Sequence, residues 1–178
     1  MAKIIECVPN ISTADADLVQ EAAGVVRSTP GVTLLNTSSD ASHNRTVITF
    51  VGDPAGVEEA AVQLAKFAAR CIDLTKHKGE HPRMGAIDVI PFIPIREVSM
   101  EECVALSKKV AERIWLEACV PVFLYEASAS APHRENLASI RKGQFEGMAQ
   151  QVLGPQWEQD FGGRTIPPTA GVVAVGGR

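Results

Sequence analysis

The sequence predicts an α+β fold: a mixed six-stranded β-sheet with helices packed mainly on one face. Three observations carry that expectation. Short runs rich in β-branched residues alternate with longer stretches of helical periodicity, in the order β-α-β-β-α-β-α-β-(α)-β. The helical stretches each carry one apolar stripe, whereas strand runs such as Ile4-Ile5 and Val89-Ile90 offer apolar side chains to both faces. A chain of 178 residues, 46% of them hydrophobic, builds one substantial core and is too short for two large domains.

The elements follow in order. Residues 3–8 form a strand that stops at Pro9-Asn10. Leu18, Ala22, Val25 and Val26 stand at helical spacing within 15–28, and Pro30-Gly31 ends that helix. Val32–Leu35 is a second strand, followed by a polar loop from Asn36 to Asn44, and Arg45–Val51 is a third strand. Asp53-Pro54 opens a helix with an N-cap acceptor and a proline at the first helical position. It runs to about Ile72, with Val57, Ala61, Leu64, Ala65 and Ala68 facing inward. Ala86–Ile90 is a buried strand, and Ser99-Met100-Glu101-Glu102 is a capping box for a third helix with Val104, Leu106, Val110 and Ile114 inward. Pro121–Tyr125 is a fifth strand, 126–135 a small polar loop, and 136–153 a helical stretch broken near Gly143. A Gly-, Pro- and Thr-rich segment from Asp160 to Gly171 leads into a sixth strand, Val172–Val175.

A sheet with helices on one face exposes the other, so that face is expected to pack against another domain or another copy of the chain. The net charge of -4, from 17 basic and 21 acidic residues, argues against nucleic-acid binding. No apolar stretch is long enough to span a membrane, and Met1-Ala2-Lys3 does not begin a signal peptide. Cys7, Cys71, Cys103 and Cys119 are far apart and lie in or beside apolar runs. They read as reduced, mostly buried thiols of a cytoplasmic protein, and neither they nor the histidines have the spacing of a metal site.

Residues 75–94 concentrate the chemistry. His77, Lys78, Glu80, His81 and Arg83 crowd around Gly79 and Pro82 and run directly into the 86–90 strand. Titratable groups on a loop at a strand edge are what a rigid scaffold presents to a ligand. Gly79 and Gly85 are expected at positive φ, and Pro82 sets the direction in which His81 leaves the loop. A solvated surface turn holds the same residue types, but two histidines among five such groups favour a functional loop.

Four segments resemble one family: Cys7-Val8-Pro9-Asn10, Asn44-Arg45-Thr46-Val47, His77-Lys78-Gly79-Glu80-His81-Pro82-Arg83-Met84-Gly85-Ala86 and Ile140-Arg141-Lys142-Gly143-Gln144-Phe145-Glu146. They are similar, in register over nearly the whole chain, to the N-terminal subdomain of glutamate formiminotransferase, also found in formiminotransferase-cyclodeaminase. The resemblance implies a ferredoxin-like subdomain, residues 1–178, whose partner subdomain is absent from this chain. It implies transfer of a formimino group from N-formiminoglutamate to N5 of tetrahydrofolate, which is the acceptor substrate. No metal is expected, because the transferred carbon is already an activated amidine. Folate would lie between two facing sheets, the second from the missing subdomain or from another copy in a homodimer.

By the same resemblance the catalytic histidine is His81. The folate-contacting segment is Gly162, Gly163, Arg164, Thr165, Ile166, Pro167, Pro168, Thr169, Ala170 and Gly171. An imidazole suits the chemistry, because N5 must lose a proton and the leaving glutamate nitrogen must gain one near neutral pH. His77 is expected to shape the loop. Both substrates carry carboxylates, for which Arg45, Lys78 and Arg83 are the cationic candidates. Arg45, beside Asn44 at the mouth of the polar loop, either meets a ligand or pairs with Asp40 or Glu80. Asp40 steadies the formimino carbon or caps the loop, Glu80 orients an imidazole, and Tyr125 contacts the pterin or is a structural tyrosine.

Three segments depart from the family pattern: Ile11-Ser12-Thr13-Ala14 in place of F-S-E-G, Asn36-Thr37-Ser38-Ser39 in place of an aspartate-rich loop, and Thr169-Ala170-Gly171 in place of S-W-G. They favour an alternative to the transferase, a folate-binding or interaction module with reduced or no turnover. A third reading is formyl transfer from 5-formyltetrahydrofolate to glutamate, a side activity the same site would support.

Overall fold

The computed structural model describes residues 1–178. Its strands are β1 (Ile4–Cys7), β2 (Asn10–Ile11), β3 (Val32–Asp40), β4 (Arg45–Gly52), β5 (Ile87–Arg96), β6 (Val122–Leu124) and β7 (Val173–Gly177). Its helices are α1 (Ala16–Arg27), α2 (Pro54–Cys71), α3 (Met100–Ala118), α4 (Leu137–Ile140) and α5 (Gln144–Gln151). Antiparallel pairing joins β3 to β4, β4 to β1 and β1 to β5. With α1 and α2 as the crossovers, β1, β3, β4 and β5 make the split βαβ arrangement of a ferredoxin-like unit. β7 then adds parallel to β5, and β6 parallel to β7, giving a mixed sheet.

The helix starts form as their sequences require. Asp15 Oδ1 accepts the Leu18 N–H (3.0 Å), and Asp53 Oδ1 accepts the Gly56 N–H (2.7 Å) with Pro54 at the first helical position. Ser99 Oγ accepts the Glu102 N–H (3.1 Å), but the Glu102 carboxylate turns outward to Lys3, so only half of the capping box closes. Val57, Ala61, Leu64, Ala65 and Ala68 of α2 are fully buried, packed with Val26 of α1 and Val110 and Ile114 of α3 against Ile5, Phe50, Ile90 and Phe92 of the sheet. Burying each Val, Leu, Ile or Phe side chain contributes about 1.5–3 kcal/mol, and this layer is the main core.

The structure differs from the sequence expectation at four places. The sheet has seven strands, not six, because Pro9 divides the first segment and the short β2 pairs with both β4 and β5. β3 continues through the stretch expected as a polar loop, since Asn36–Asp40 pair with β4 past a bulge after Leu34. This ribbon is exposed, so no apolar alternation marks it as a strand. β5 extends to Arg96 through Pro91 and Pro94, and Pro94 pairs with Ile5 beside a bulge between Ile4 and Ile5. Finally, the second face of the sheet is not bare throughout. Ile140 of α4, Met148 of α5, Val152 and Trp157 cover Val89, Phe123, Tyr125 and Ala174, leaving the β3, β4 and β1 side open. All four cysteines are free: Cys7 and Cys103 are buried, Cys71 half-buried and Cys119 exposed.

Candidate active site

The 77–86 loop is held from three sides. On the side of the β3–β4 turn, Glu80 N–H donates to the Ser42 carbonyl (3.0 Å), His77 Nε2–H to the Asn44 carbonyl (2.9 Å) and Asn44 Nδ2 to the Lys78 carbonyl (3.1 Å). Asn44, in the left-handed region at φ 52°, also accepts the Ala14 N–H at 2.9 Å. One amide therefore ties the hairpin, the approach to α1 and the loop together. On the α5 side, the buried Arg83 donates to His77 Nδ1 (3.0 Å), Gln144 Oε1 (3.1 Å) and both Glu146 carboxylate oxygens (2.5 and 2.8 Å). Arg83 thereby fixes His77 as the neutral Nε2–H tautomer, and its bidentate grip holds the Glu146 carboxyl down to about 2.

The third side is the segment before β7. Thr169 and Ala170 carbonyls accept from Leu74 and Ala86 (2.9 and 2.8 Å), and the Met84 carbonyl accepts from Val172 N–H (3.0 Å). Gly85 and Gly171 form an isolated bridge here. A Cβ at Gly85 would lie 1.8 Å from the Val172 oxygen, and one at Gly171 2.1 Å from the Met84 oxygen. This corrects the expected role of the loop glycines. Gly79 and Gly85 are not at positive φ; close backbone approach is what excludes a side chain, and the positive φ falls at Gly162, Gly163 and Gly171.

His81 emerges from this frame half-buried, between two guanidinium groups. Arg45 Nη1 lies 3.3 Å from its Nδ1 and 3.4 Å from its Nε2, and Arg141 Nη1 lies 3.4 Å from Nε2. The His43 ring approaches edge-on with centroids 6.2 Å apart. Burial first, then Arg45 and Arg141, hold the His81 imidazole down to about 4, so at neutral pH it is an unprotonated base. Arg141 is in turn anchored by Asp88 Oδ2 at 2.6 Å, while Asp88 Oδ1 accepts the Met84 N–H at 2.6 Å and the Gly85 N–H at 3.3 Å. Burial raises the Asp88 carboxyl above its ordinary range in spite of the Arg141 cation.

His81, Arg45 and Arg141 open into a pocket of about 660 Å³ on the open half of the sheet, lined also by Val8, Asn10, Val47, Val89, Pro91, Ile93, Leu137 and Arg178. Three arginines and no acidic residue line it, in a chain of net charge -4. The remaining wall is mostly apolar, which suits a flat ring with an anionic tail.

The predicted residues divide accordingly. His81 and Arg45 meet in the pocket, and Arg45 makes no ion pair with Asp40 or Glu80. Asp40 is exposed and binds His43 through Oδ2 (2.8 Å) and Oδ1 (3.1 Å); these bonds lower its carboxyl pKa. Lys78 and Glu80 are exposed on the loop, and neither lines the pocket. Asn44 and Arg83 brace the loop and do not line the pocket. Tyr125 is buried beneath the α4–α5 layer with its hydroxyl unpartnered, and burial raises its pKa. Of residues 162–171 only Thr169, Ala170 and Gly171 brace the loop from behind, whereas Arg164 donates to the carbonyls of Val152 and Gly154 just past α5; none of the ten is among the lining residues.

Sequence reasoning gave no role to Asp88, Arg141, Asn10 or Arg178. The available signal was Asp88, a lone carboxylate inside the apolar run 86–90, which required a buried partner. No group of three or more His, Cys, Asp or Glu side chains is placed to hold a metal ion, and no helix is long and apolar enough to cross a membrane.

Residues 4–178 match the family described as the formiminotransferase domain, N-terminal subdomain. The chain belongs to this family. Among formiminotransferase relatives, it is 57% identical over 179 residues to the glutamate formimidoyltransferase of Streptococcus pyogenes serotype M1, covering all of this chain and 60% of that protein. It is 44% identical over 179 residues to the formimidoyltransferase-cyclodeaminase of Mus musculus, covering all of this chain and 33% of that one. It is 40% identical over 178 residues to the glutamate formimidoyltransferase of Thermoplasma acidophilum, covering 98% of this chain and 58% of that protein. The chain thus spans between a third and three fifths of these formiminotransferase relatives.

Proposed function

We propose that this chain provides the catalytic half of a glutamate formimidoyltransferase, with His81 as its acid–base group and tetrahydrofolate as acceptor. The observation that carries the reading is His81 itself: an unprotonated imidazole, framed by a rigid loop, at the wall of an arginine-lined pocket. The names of the relatives support the same reaction.

In this reading N5 of tetrahydrofolate attacks the formimino carbon of N-formiminoglutamate. The N5–H proton passes to His81 as the N5–C bond forms, giving a tetrahedral intermediate. His81 returns that proton to the glutamate nitrogen as the C–N bond breaks. Glutamate leaves, and N5 carries the formimino group. One proton moves from N5 to the glutamate nitrogen, and His81 is regenerated. General acid–base help of this kind contributes roughly 10²–10⁴-fold in rate.

A second layer over the open half of the sheet, from another subdomain or another copy in a homodimer, would close the pocket on the folate. The greater length of the relatives supports such a layer. The free thiols suit a reducing cytoplasm. The test is incubation with N-formiminoglutamate and tetrahydrofolate, with products identified by mass spectrometry, first for this chain and then with the remainder of the Streptococcus relative added. Glutamate and a formimino-tetrahydrofolate are expected in equal amounts. Their absence from both mixtures overturns the assignment in favour of a binding module.

A further inference from the structure

We propose that Arg45 and Arg141 together form the receptor for one carboxylate of a short dicarboxylate substrate, seating it directly against His81, with buried Asp88 as the residue that positions Arg141. This deepens the transferase reading and rests on it for the identity of the substrate.

The two guanidinium groups reach the same imidazole from different elements. Arg45 begins β4, whereas Arg141 follows α4. Their Nη1 atoms lie 3.3 and 3.4 Å from ring nitrogens of His81, so they converge on one spot. Arg45 has no carboxylate partner in the chain. Arg141 has only Asp88, which its Nη1 contacts at 2.6 Å, and no acidic residue lines the pocket that both arginines share. Two cations in contact with one neutral base, only one of them paired with a carboxylate, repel each other unless a further anion bridges them. A planar carboxylate fits that role because a guanidinium donates to it in a fixed fork. Val8, Val47, Val89, Pro91 and Ile93 line the same cavity beside the arginines.

Asp88 sets the geometry. It is buried, bonded at once to Arg141 and to the Met84 and Gly85 N–H groups at the base of the His81 loop. The same carboxylate therefore registers the guanidinium against the loop that carries His81.

The arrangement has a chemical consequence. The charged or titratable groups around His81 are Arg45 on β4, Arg141 after α4, His43 on the hairpin turn and His77 on its own loop. All of them oppose its protonation. A carboxylate between the arginines offsets that repulsion and makes His81 a stronger base only when substrate is present. The site then accepts a proton in the complex and stays neutral without it.

The test is NMR titration of the His81 Cε1–H resonance of this chain, with and without saturating glutarate, a dicarboxylate without the formimino group. The expected result is an upward shift of the His81 midpoint by one pH unit or more with glutarate. Arg45→Gln, which leaves no buried charge unpaired, should weaken glutarate binding at least tenfold and remove the shift. Arg141→Lys should retain part of both, whereas Arg141→Gln should lose both. Asp88→Asn should weaken glutarate binding while leaving Arg45 in place. A wild-type midpoint unmoved by glutarate, or an Arg45→Gln variant that binds and shifts like wild type, overturns the proposal. The functional reading fails separately: a chain that shifts with glutarate but transfers no formimino group contradicts that reading and leaves this receptor standing.

Discussion

At His81 the loss of basicity has a definite sign for stability. Its folded pKa, about 4, lies below the ordinary 6.5, so below pH 6.5 the unfolded chain takes a proton that the native site refuses. Stability contributed by this site is present above about pH 6.5 and is lost as the pH falls toward 4. His81→Gln should therefore lose less melting temperature than wild type between pH 7 and pH 5; an equal loss in both contradicts the electrostatic account of the site. Arg83 illustrates a different residue-scale role. Its side chain is only 7% exposed while that of Glu146 is 66% exposed, so the ion pair matters through the buried partner. Glu146→Ala leaves Arg83 with His77 and Gln144 alone. About 2 kcal/mol of stability should be lost in denaturant unfolding, with little change in ligand affinity. From sequence, Arg83 and Arg45 are equivalent cations near His81, and only three-dimensional position separates a loop clamp from a pocket wall.

Among the elements, the crossing of the 77–86 loop with the segment before β7 is the tightest backbone contact near the site. Gly85→Ala or Gly171→Ala should destabilise by about 3 kcal/mol, Gly171 also because its φ is 66°. Amide hydrogen exchange should show faster exchange at Ala86 and Val172, whose N–H groups span that crossing; unchanged exchange would mean the contact is not what holds the loop. The major elements were legible in the sequence because their signals are local: the Asp53 and Ser99 caps, the α2 stripe, and the break at Gly143 before α5. Asn36–Asp40 was not legible as a strand, because an exposed ribbon carries no apolar period. Pro91 and Pro94 hid the length of β5, since prolines ordinarily mark the edge of a strand or its end. At the candidate site, His81 was legible through the dense 77–83 motif and Arg45 through its place beside Asn44 at the end of the polar loop. Arg141 escaped because its partner, Asp88, is distant in sequence.

For the whole molecule, the sheet separates two tasks. One face builds the core with α1, α2 and α3; the other is half covered by α4 and α5 and half given to the arginine-lined pocket. Residues of the open half are expected to matter more for ligand than for stability. Val47→Lys should change unfolding free energy by less than about 1 kcal/mol while lowering tetrahydrofolate affinity at least tenfold by calorimetry. A large loss of stability would mean that this face belongs to the core. The central claim is that His81 shuttles the proton of formimino transfer. Its most direct measurement is kcat for formimino-tetrahydrofolate formation by wild type and His81→Ala, with tetrahydrofolate affinity measured alongside. A fall of roughly 10²–10⁴-fold with folate affinity within threefold is the predicted result. A His81→Ala variant that turns over within a few-fold of wild type would contradict it.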